Sequence, residues 1–449
     1  MKVIHNEPSR LKVGIWCNYH VTLEPSEGIG VFAHNLARGL AQLPNGPEVV
    51  LCIRPGDEHV VAETLKAGQG RISTISPDAP NFLQRGIRRV RRFLQRQQPA
   101  PLPLNSEVGA ASPLRRLWRI TAHSVETLLQ PWDLRNYRAA MESCDVWLLP
   151  FSGMDIEFCK PTIAVIHDLV PFHFPDVLPP RALQKLGRQM TRIAQQCTFA
   201  TCMSQFIRKN DLEGLLHLPA EKIRVIPPAA PQDLAPVKDI AATKRLHPLL
   251  NEKYLFYPAA FRAYKNHELL VEALHAMQQT GEEAPHLVFT GICEPPKALS
   301  RAIAQYHLQN KVHVLGKVDR DLLAAFYQNA IATIVPSRYE QGSFPIMEAI
   351  HWKCPAACAR IPSLTEQFGP MGEAMLYFDA DQPLELAQII RHLVRDRAAI
   401  LERQQRAAGA MFQRTWTDAA ADWLRLFEEA AAPPAIQKVA FQPRRRRSA

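Results

Sequence analysis

Short apolar runs alternate with amphipathic stretches of helical spacing along this chain, and the pattern occurs twice. In the first part, KVGIWCN (12–18) and EVVLCIR (48–54) are apolar, β-branched runs that suit buried strands. Between them Ile29, Phe32, Leu36, Leu40 and Leu43 recur three or four apart, which predicts a helix with one apolar face. The rhythm fades from about Ser76 to Pro131. It resumes with strands at CDVWLLP (144–150), TIAVIHDL (162–169), TFATCMS (198–204) and IRVIPP (223–228), and helices over 181–196 and 205–217. It restarts at YLFYPA (254–259), HLVFTG (286–291), KVHVLG (311–316) and IATIV (331–335), each leading into a helical pattern. A last amphipathic helix covers 416–429. Strand–helix alternation of this kind predicts an α/β protein with two doubly wound parallel sheets, helices on both faces.

Pro227, Pro228, Pro231 and Pro236 mark a stiff linker between the two runs. The expected division is therefore 1–230, with an insertion at about 76–131, then 231–408, a helix within 409–430 and a tail over 431–449. The tail reads as disordered. The 449 residues suffice for two large cores, and a hydrophobic content of 47% is ordinary for a soluble globular protein.

Charge and cysteine content refine this picture. No apolar run reaches the roughly 18–20 residues needed to span a bilayer, and the N-terminus lacks a signal-peptide core. Nine cysteines without regular spacing read as buried thiols in a reducing compartment, so a cytoplasmic location is expected. The net charge of +10 is concentrated. Six arginines lie from Arg85 to Arg96, three from Arg115 to Arg119, and four close the chain at Arg444 to Arg447. Ile87, Val90 and Leu94 would give the first cluster an apolar helical face, as in helices that lie on anionic membranes. A solvated insertion, supported by Pro99, Pro101, Pro103 and Pro113, is the equal alternative. Nucleic acid is the weakest of the three partners.

The densest chemistry follows IATIV. Pro336 and Ser337 end that strand, and a loop containing Glu340, Gly342 and Ser343 enters a helix through Phe344 and Pro345, with Glu348 one turn inside. A strand, a loop and a helix N-terminus form the place where open parallel sheets bind ligands and where backbone N–H groups favour phosphate. Two carboxylates eight positions apart could hold hydroxyls at the two ends of one extended ligand. Other strand ends carry related features. Gly28 and Gly30 open the first helix, His167-Asp168 ends the fourth expected strand, and Arg262 and Lys265 flank the turn after 254–259.

The segment Glu340-Gln-Gly-Ser-Phe-Pro345-Ile-Met-Glu348-Ala resembles the E-x7-E signature of retaining GT-B glycosyltransferases of the group-1, or family-4, type. The outer acids and the proline match, while the glycine is displaced to Gly342. Lys265-Asn-His-Glu, His167-Asp168, the Gly28/Gly30 loop and a Ser-Leu-x-Glu element ending at Glu366 are similar to further elements of that family. The resemblance implies a GT-B architecture, two Rossmann-like domains facing each other across a cleft. It also implies transfer of a hexose, mannose- or glucose-type, from a nucleotide-sugar to a hydroxyl of a glycan or lipid-linked glycan. Bacterial surface polysaccharide synthesis at the inner membrane face is the implied setting.

By the same resemblance Glu340 and His167 are the catalytic pair, Glu340 on the donor sugar and His167 toward the acceptor. Gly28, Gly30, Arg262, Lys265, Gly342, Ser343, Phe344, Glu348 and Glu366 bind the donor, with Glu348 on the ribose. Cations and a helix N-terminus would neutralise the leaving diphosphate, so no metal and no cofactor are expected. Asp379-Ala-Asp381 has the letters of a metal-binding pair but precedes Pro383 and a helix, and helix N-capping is expected instead. His351, Cys354 and Cys358 have a loose metal-like spacing, but Cys354 and Cys358 flank an apolar strand, so core packing is expected rather than a metal. Rival readings are a GT-B phosphorylase or epimerase, and a non-catalytic basic protein that binds membrane or nucleic acid.

Overall fold

The structure is a computed structural model that describes residues 10–17, 28–77, 82, 86–87, 90, 135–150, 158–229, 239–292, 294–409 and 413–432. All six arginines from Arg85 to Arg96, the group from Arg115 to Arg119, Pro231, Pro236 and the arginine tail fall outside that set. Two parallel sheets carry the chain. The first holds β1 (Lys12–Trp16), β2 (Glu48–Cys52), β3 (Ile72–Ile75), β4 (Val146–Leu149), β5 (Thr162–Val165), β6 (Phe199–Cys202) and β7 (Ile223–Val225) in the order β3-β2-β1-β4-β5-β6-β7. The second holds β8 (Tyr254–Pro258), β9 (His286–Thr290), β10 (Val312–Val314), β11 (Ala332–Val335), β12 (Ala356–Ala359) and β13 (Leu376–Phe378) in the order β10-β9-β8-β11-β12-β13. In each sheet the order of winding reverses once, between β1 and β4 and between β8 and β11. Ligands of open sheets bind at such reversals, outside the carboxyl ends of the strands.

Alternation along β1 sorts the first core into two layers. Val13 and Ile15 face the Gly28–Gln42 helix, while Trp16 packs on the other side with Trp147. The indole of Trp147 fits because its partner in register is Gly14, where a Cβ would fall 2.3 Å from the ring. The second sheet is covered by helices on both faces around one continuous core containing Phe256, Phe289, Ile334 and Phe378. Cys354 and Cys358 are buried there, as their apolar setting predicts.

The expected last helix spans Trp416–Ala431 and starts with a capping box, Thr415 and Asp418 exchanging side-chain-to-backbone hydrogen bonds. It joins the first core rather than the second. Trp416, Trp423 and Phe427 are buried against the Gly28–Gln42 helix, with Phe32 edge-on to both tryptophans at 6.1 and 5.6 Å. Truncating a buried tryptophan costs about 3–5 kcal/mol, so this helix is a firm tie between the halves. Gly39 permits the approach, since a Cβ there would sit 2.6 Å from the Trp416 carbonyl.

Three local expectations need correction. The helix over 205–217 is a short α-helix, Gln205–Ile207, followed by a π-helix, Arg208–Leu215. Leu216 N–H bonds the Asp211 carbonyl five residues back at 2.9 Å, and Asp211 is turned into the core. The edge strand β3 was not expected, because only Ile72 of its four residues is buried. Asp379 and Asp381 do not cap the Pro383–Ala408 helix, whose N-cap is Gln382. Asp379 instead accepts the Asp381 N–H at 2.8 Å in a local turn, and Asp381 pairs with Arg338 at 2.8 Å. No helix among the described residues is long and apolar enough to cross a membrane.

Candidate active site

At the reversal of the second sheet, β8 runs into a turn whose last residue, Asn266, adopts the left-handed conformation (φ 58°). Asparagine tolerates this better than most residues, and here its side chain gains two hydrogen bonds from it. Asn266 Nδ2 donates to the carbonyls of Pro336 (3.0 Å) and Ala380 (2.8 Å), tying together the loops after β8, β11 and β13. That staple fixes Lys265 against the loop after β11. Lys265 Nζ lies 2.5 Å from Glu340 Oε1, which also accepts from Ser337 Oγ at 2.6 Å. Tyr257 Oη donates to the Lys265 carbonyl (3.1 Å) and touches Ser337 Oγ (3.0 Å). Burial works against the lysine charge, but the adjacent Glu340 outweighs it and the Lys265 pKa is raised. Lys265 is thus a cation paired with Glu340. Arg262 is exposed at the start of the same turn.

Ser343 caps the Phe344–His351 helix, its hydroxyl accepting the Ile346 N–H at 3.4 Å, and Pro345 has no N–H to offer. Gln367 Oε1 takes the Ser343 N–H at 2.7 Å and fits beside Gly342, where a Cβ would lie 3.1 Å from it. Among the described residues the Phe344 N–H has no such acceptor, so it is a first-turn donor left for an anion. One turn on, Glu348 Oε2 accepts from Tyr327 Oη at 2.7 Å. Burial raises the Glu348 pKa, opposed by that hydrogen bond and by Arg320.

The opposing wall comes from the first sheet. His167 follows β5, and its Nε2–H donates to the Pro150 carbonyl at the end of β4 (2.9 Å). That bond leaves Nδ1 as an acceptor, and Gln341 of the second half reaches it at 3.4 Å. Burial lowers the His167 pKa, so the imidazole is neutral. Asp168 is pushed up to about 6, first by burial and further by Asp211 and Glu340, against a hydrogen bond from Val170 N–H. Gly28 is exposed at the start of its helix with open space where a side chain would be, and Gly30 is buried. The loop before them lies outside the described residues.

The structure therefore gathers His167, Lys265, Glu340, Gly342, Ser343 and Phe344 along one seam, with Glu348 a helical turn deeper. Glu366, expected at the donor, reaches the first half. Its two oxygens accept the N–H groups of Gln205 (2.6 Å) and Phe206 (2.8 Å), joining the second half to a helix start in the first. Asn266, Ser337, Tyr339, Asp211 and Gln367 were not anticipated. Asp211 had a signal, since it stands four residues after Ile207 and beside Leu212 on the apolar face of the expected helix. Among the described residues no group of three or more His, Cys, Asp or Glu is arranged to hold a metal.

Residues 241–411 match the family model described as glycosyl transferases group 1. That segment, most of the second half of the chain, is where the likeness to group 1 glycosyl transferases lies. Relatives include the O-antigen chain mannosyltransferase B of Escherichia coli, 22% identical over 246 residues, which are 54% of this chain and 63% of that one. The MMP alpha-(1->4)-mannosyltransferase of Mycolicibacterium hassiacum is 30% identical over 143 residues, 31% of this chain and 34% of the relative. The matched segments thus span less than two thirds of either relative. Among solved structures, sucrose-phosphate synthase from Thermosynechococcus elongatus aligns with TM-score 0.63 and 18% identity over 94% of this chain and 99% of its own. Anabaena HepE in complex with UDP and glucose aligns with TM-score 0.62 and 13% identity over 94% of this chain and 100% of its own. These likenesses show the fold, and the chain has the GT-B architecture.

Proposed function

We propose that the protein transfers a hexose from a nucleoside diphosphate sugar to an acceptor hydroxyl with retention of anomeric configuration and without a metal. The observation that carries this reading is the Lys265–Glu340 pair, set beside the Phe344 N–H at the strand reversal where the two sheets meet. A diphosphate needs fixed positive charge and a backbone donor; Lys265 supplies the first, and the Phe344 N–H, four residues beyond Glu340, the second. Arrival of the diphosphate draws Lys265 from Glu340 and frees the carboxylate for the sugar, where positive charge develops as the leaving group departs. Glu348, anchored by Tyr327, takes the ribose. Neutral His167 faces the acceptor without adding charge.

Both curated relatives named above are mannosyltransferases, which favours mannose, and the HepE complex favours a nucleotide-sugar donor. The O-antigen chain relative supports a glycan acceptor, within bacterial surface polysaccharide synthesis. Thermal shift against UDP, GDP, ADP and their hexose conjugates tests the reading. A nucleotide at about 100 times its dissociation constant stabilises by about 2.7 kcal/mol. One nucleotide is expected to shift the melting temperature clearly and its sugar conjugate to turn over. A flat response to every nucleotide would overturn the proposal.

A further inference from the structure

The seam between the halves contains a buried carboxylate that the proposed chemistry does not use. Asp211, fully buried in the π-helix, has its two oxygens 2.7 and 2.6 Å from Tyr339 Oη of the other half. The same carboxylate accepts the Leu169 N–H (2.8 Å), His173 Nε2 (2.8 Å) and Asn210 Nδ2 (2.9 Å). Leu169 directly follows His167-Asp168, and Tyr339 directly precedes Glu340-Gln341. One carboxylate therefore holds both strand-end segments at once, and the Gln341–His167 contact adds a second rung. Tyr339 also stacks on His173 (4.6 Å between centroids) and meets Phe174 and Phe206 of the first half. Packing alone would need no buried charge here, since isolating a carboxylate from water is costly unless several donors surround it.

We propose that Asp211 and Tyr339 are positioning residues that set Glu340 against His167 across the seam. The inference rests on the glycosyltransferase reading for its kinetic consequence and on geometry alone for its structural one. Tyr339→Phe removes one hydroxyl and leaves Asp211 its other donors, so the fold survives. In the full-length variant kcat is expected to fall about tenfold or more while the dissociation constant of the nucleoside diphosphate stays within twofold. Hydrogen–deuterium exchange in the loop over 336–343 should quicken, with β8 unchanged. Asp211→Asn keeps the side-chain shape, and combined with Tyr339→Phe it should cost no more in kcat than the greater single loss. Wild-type kcat in Tyr339→Phe, or equal loss of nucleotide binding and turnover, would overturn the assignment. If the wild-type protein turned over no nucleotide-sugar, the glycosyltransferase reading would fail by itself. The exchange measurement would then decide the positioning role, and an unchanged loop would refute it.

Discussion

The two walls of the seam treat charge in opposite ways. On the second-half wall Lys265 keeps its charge despite burial because Glu340 lies 2.5 Å away, and Arg262 stands exposed beside it. On the first-half wall burial works against charge: it keeps His167 neutral and raises the Asp168 pKa to about 6. The difference matches the two partners of a sugar transfer. A diphosphate brings negative charge and needs cations, whereas an acceptor hydroxyl is neutral and is best met by hydrogen bonding without a strong field. It also shows why the second half has the richer motif, because fixed charges and helix starts are spelled out locally in sequence.

The sharpest way to break this contrast is to remove the cation. Lys265→Ala should reduce activity at limiting donor by tenfold or more, since a charge-assisted contact is worth about 1.5–3 kcal/mol. It also strands Glu340, and breaking a buried pair costs about 3 kcal/mol or more. Adding Glu340→Gln should therefore recover melting temperature without recovering activity. Calorimetric melting of the single and double variants, with kinetics, checks both halves of this statement.

On the other wall, Asp168→Asn sharpens the contrast through pH. The folded pKa of about 6 lies above the ordinary 3.8, so the folded protein holds this proton more tightly than the unfolded chain does. Its stabilising contribution is complete below pH 3.8 and is lost as pH rises through 6. The variant should be more stable than wild type at pH 7, by up to about 3 kcal/mol, and equal to it at pH 3.5. Denaturant unfolding at the two pH values measures the difference.

Glu348→Gln should have a smaller effect, raising the donor KM about tenfold with kcat nearly kept, because the ribose does not change in the reaction. Steady-state kinetics with varied donor tests it. Excess EDTA should change turnover least of all, to within measurement error. Activity that collapsed and returned with manganese or magnesium would restore a metal to the account.

The strands of both sheets and the loop around Glu340 were legible because each is a local pattern, an apolar run or a motif of a few residues. The edge strand β3 was not, since an edge strand with one buried residue has little apolar pattern to show. The roles of Asn266, Asp211 and Glu366 were hidden for a different reason. Each acts on groups more than forty residues away, at Pro336 and Ala380, at Leu169 and Tyr339, or at Gln205 and Phe206. Spacing along the chain carries no record of such partners. Even the ion pair of Lys265 with Glu340, both singled out as site residues, appears only when β8 and β11 are neighbours.

Donor turnover by Glu340→Gln tests the central claim most directly. Release of nucleoside diphosphate from the preferred sugar donor would be followed for wild type and variant, with nucleotide binding measured by calorimetry. Wild type should turn over, and the variant should lose about a hundredfold or more in kcat, as when a group that stabilises developing charge is removed, while still binding the nucleotide. A variant that kept its kcat and lost nucleotide affinity would contradict the account and exchange the roles of Glu340 and Glu348.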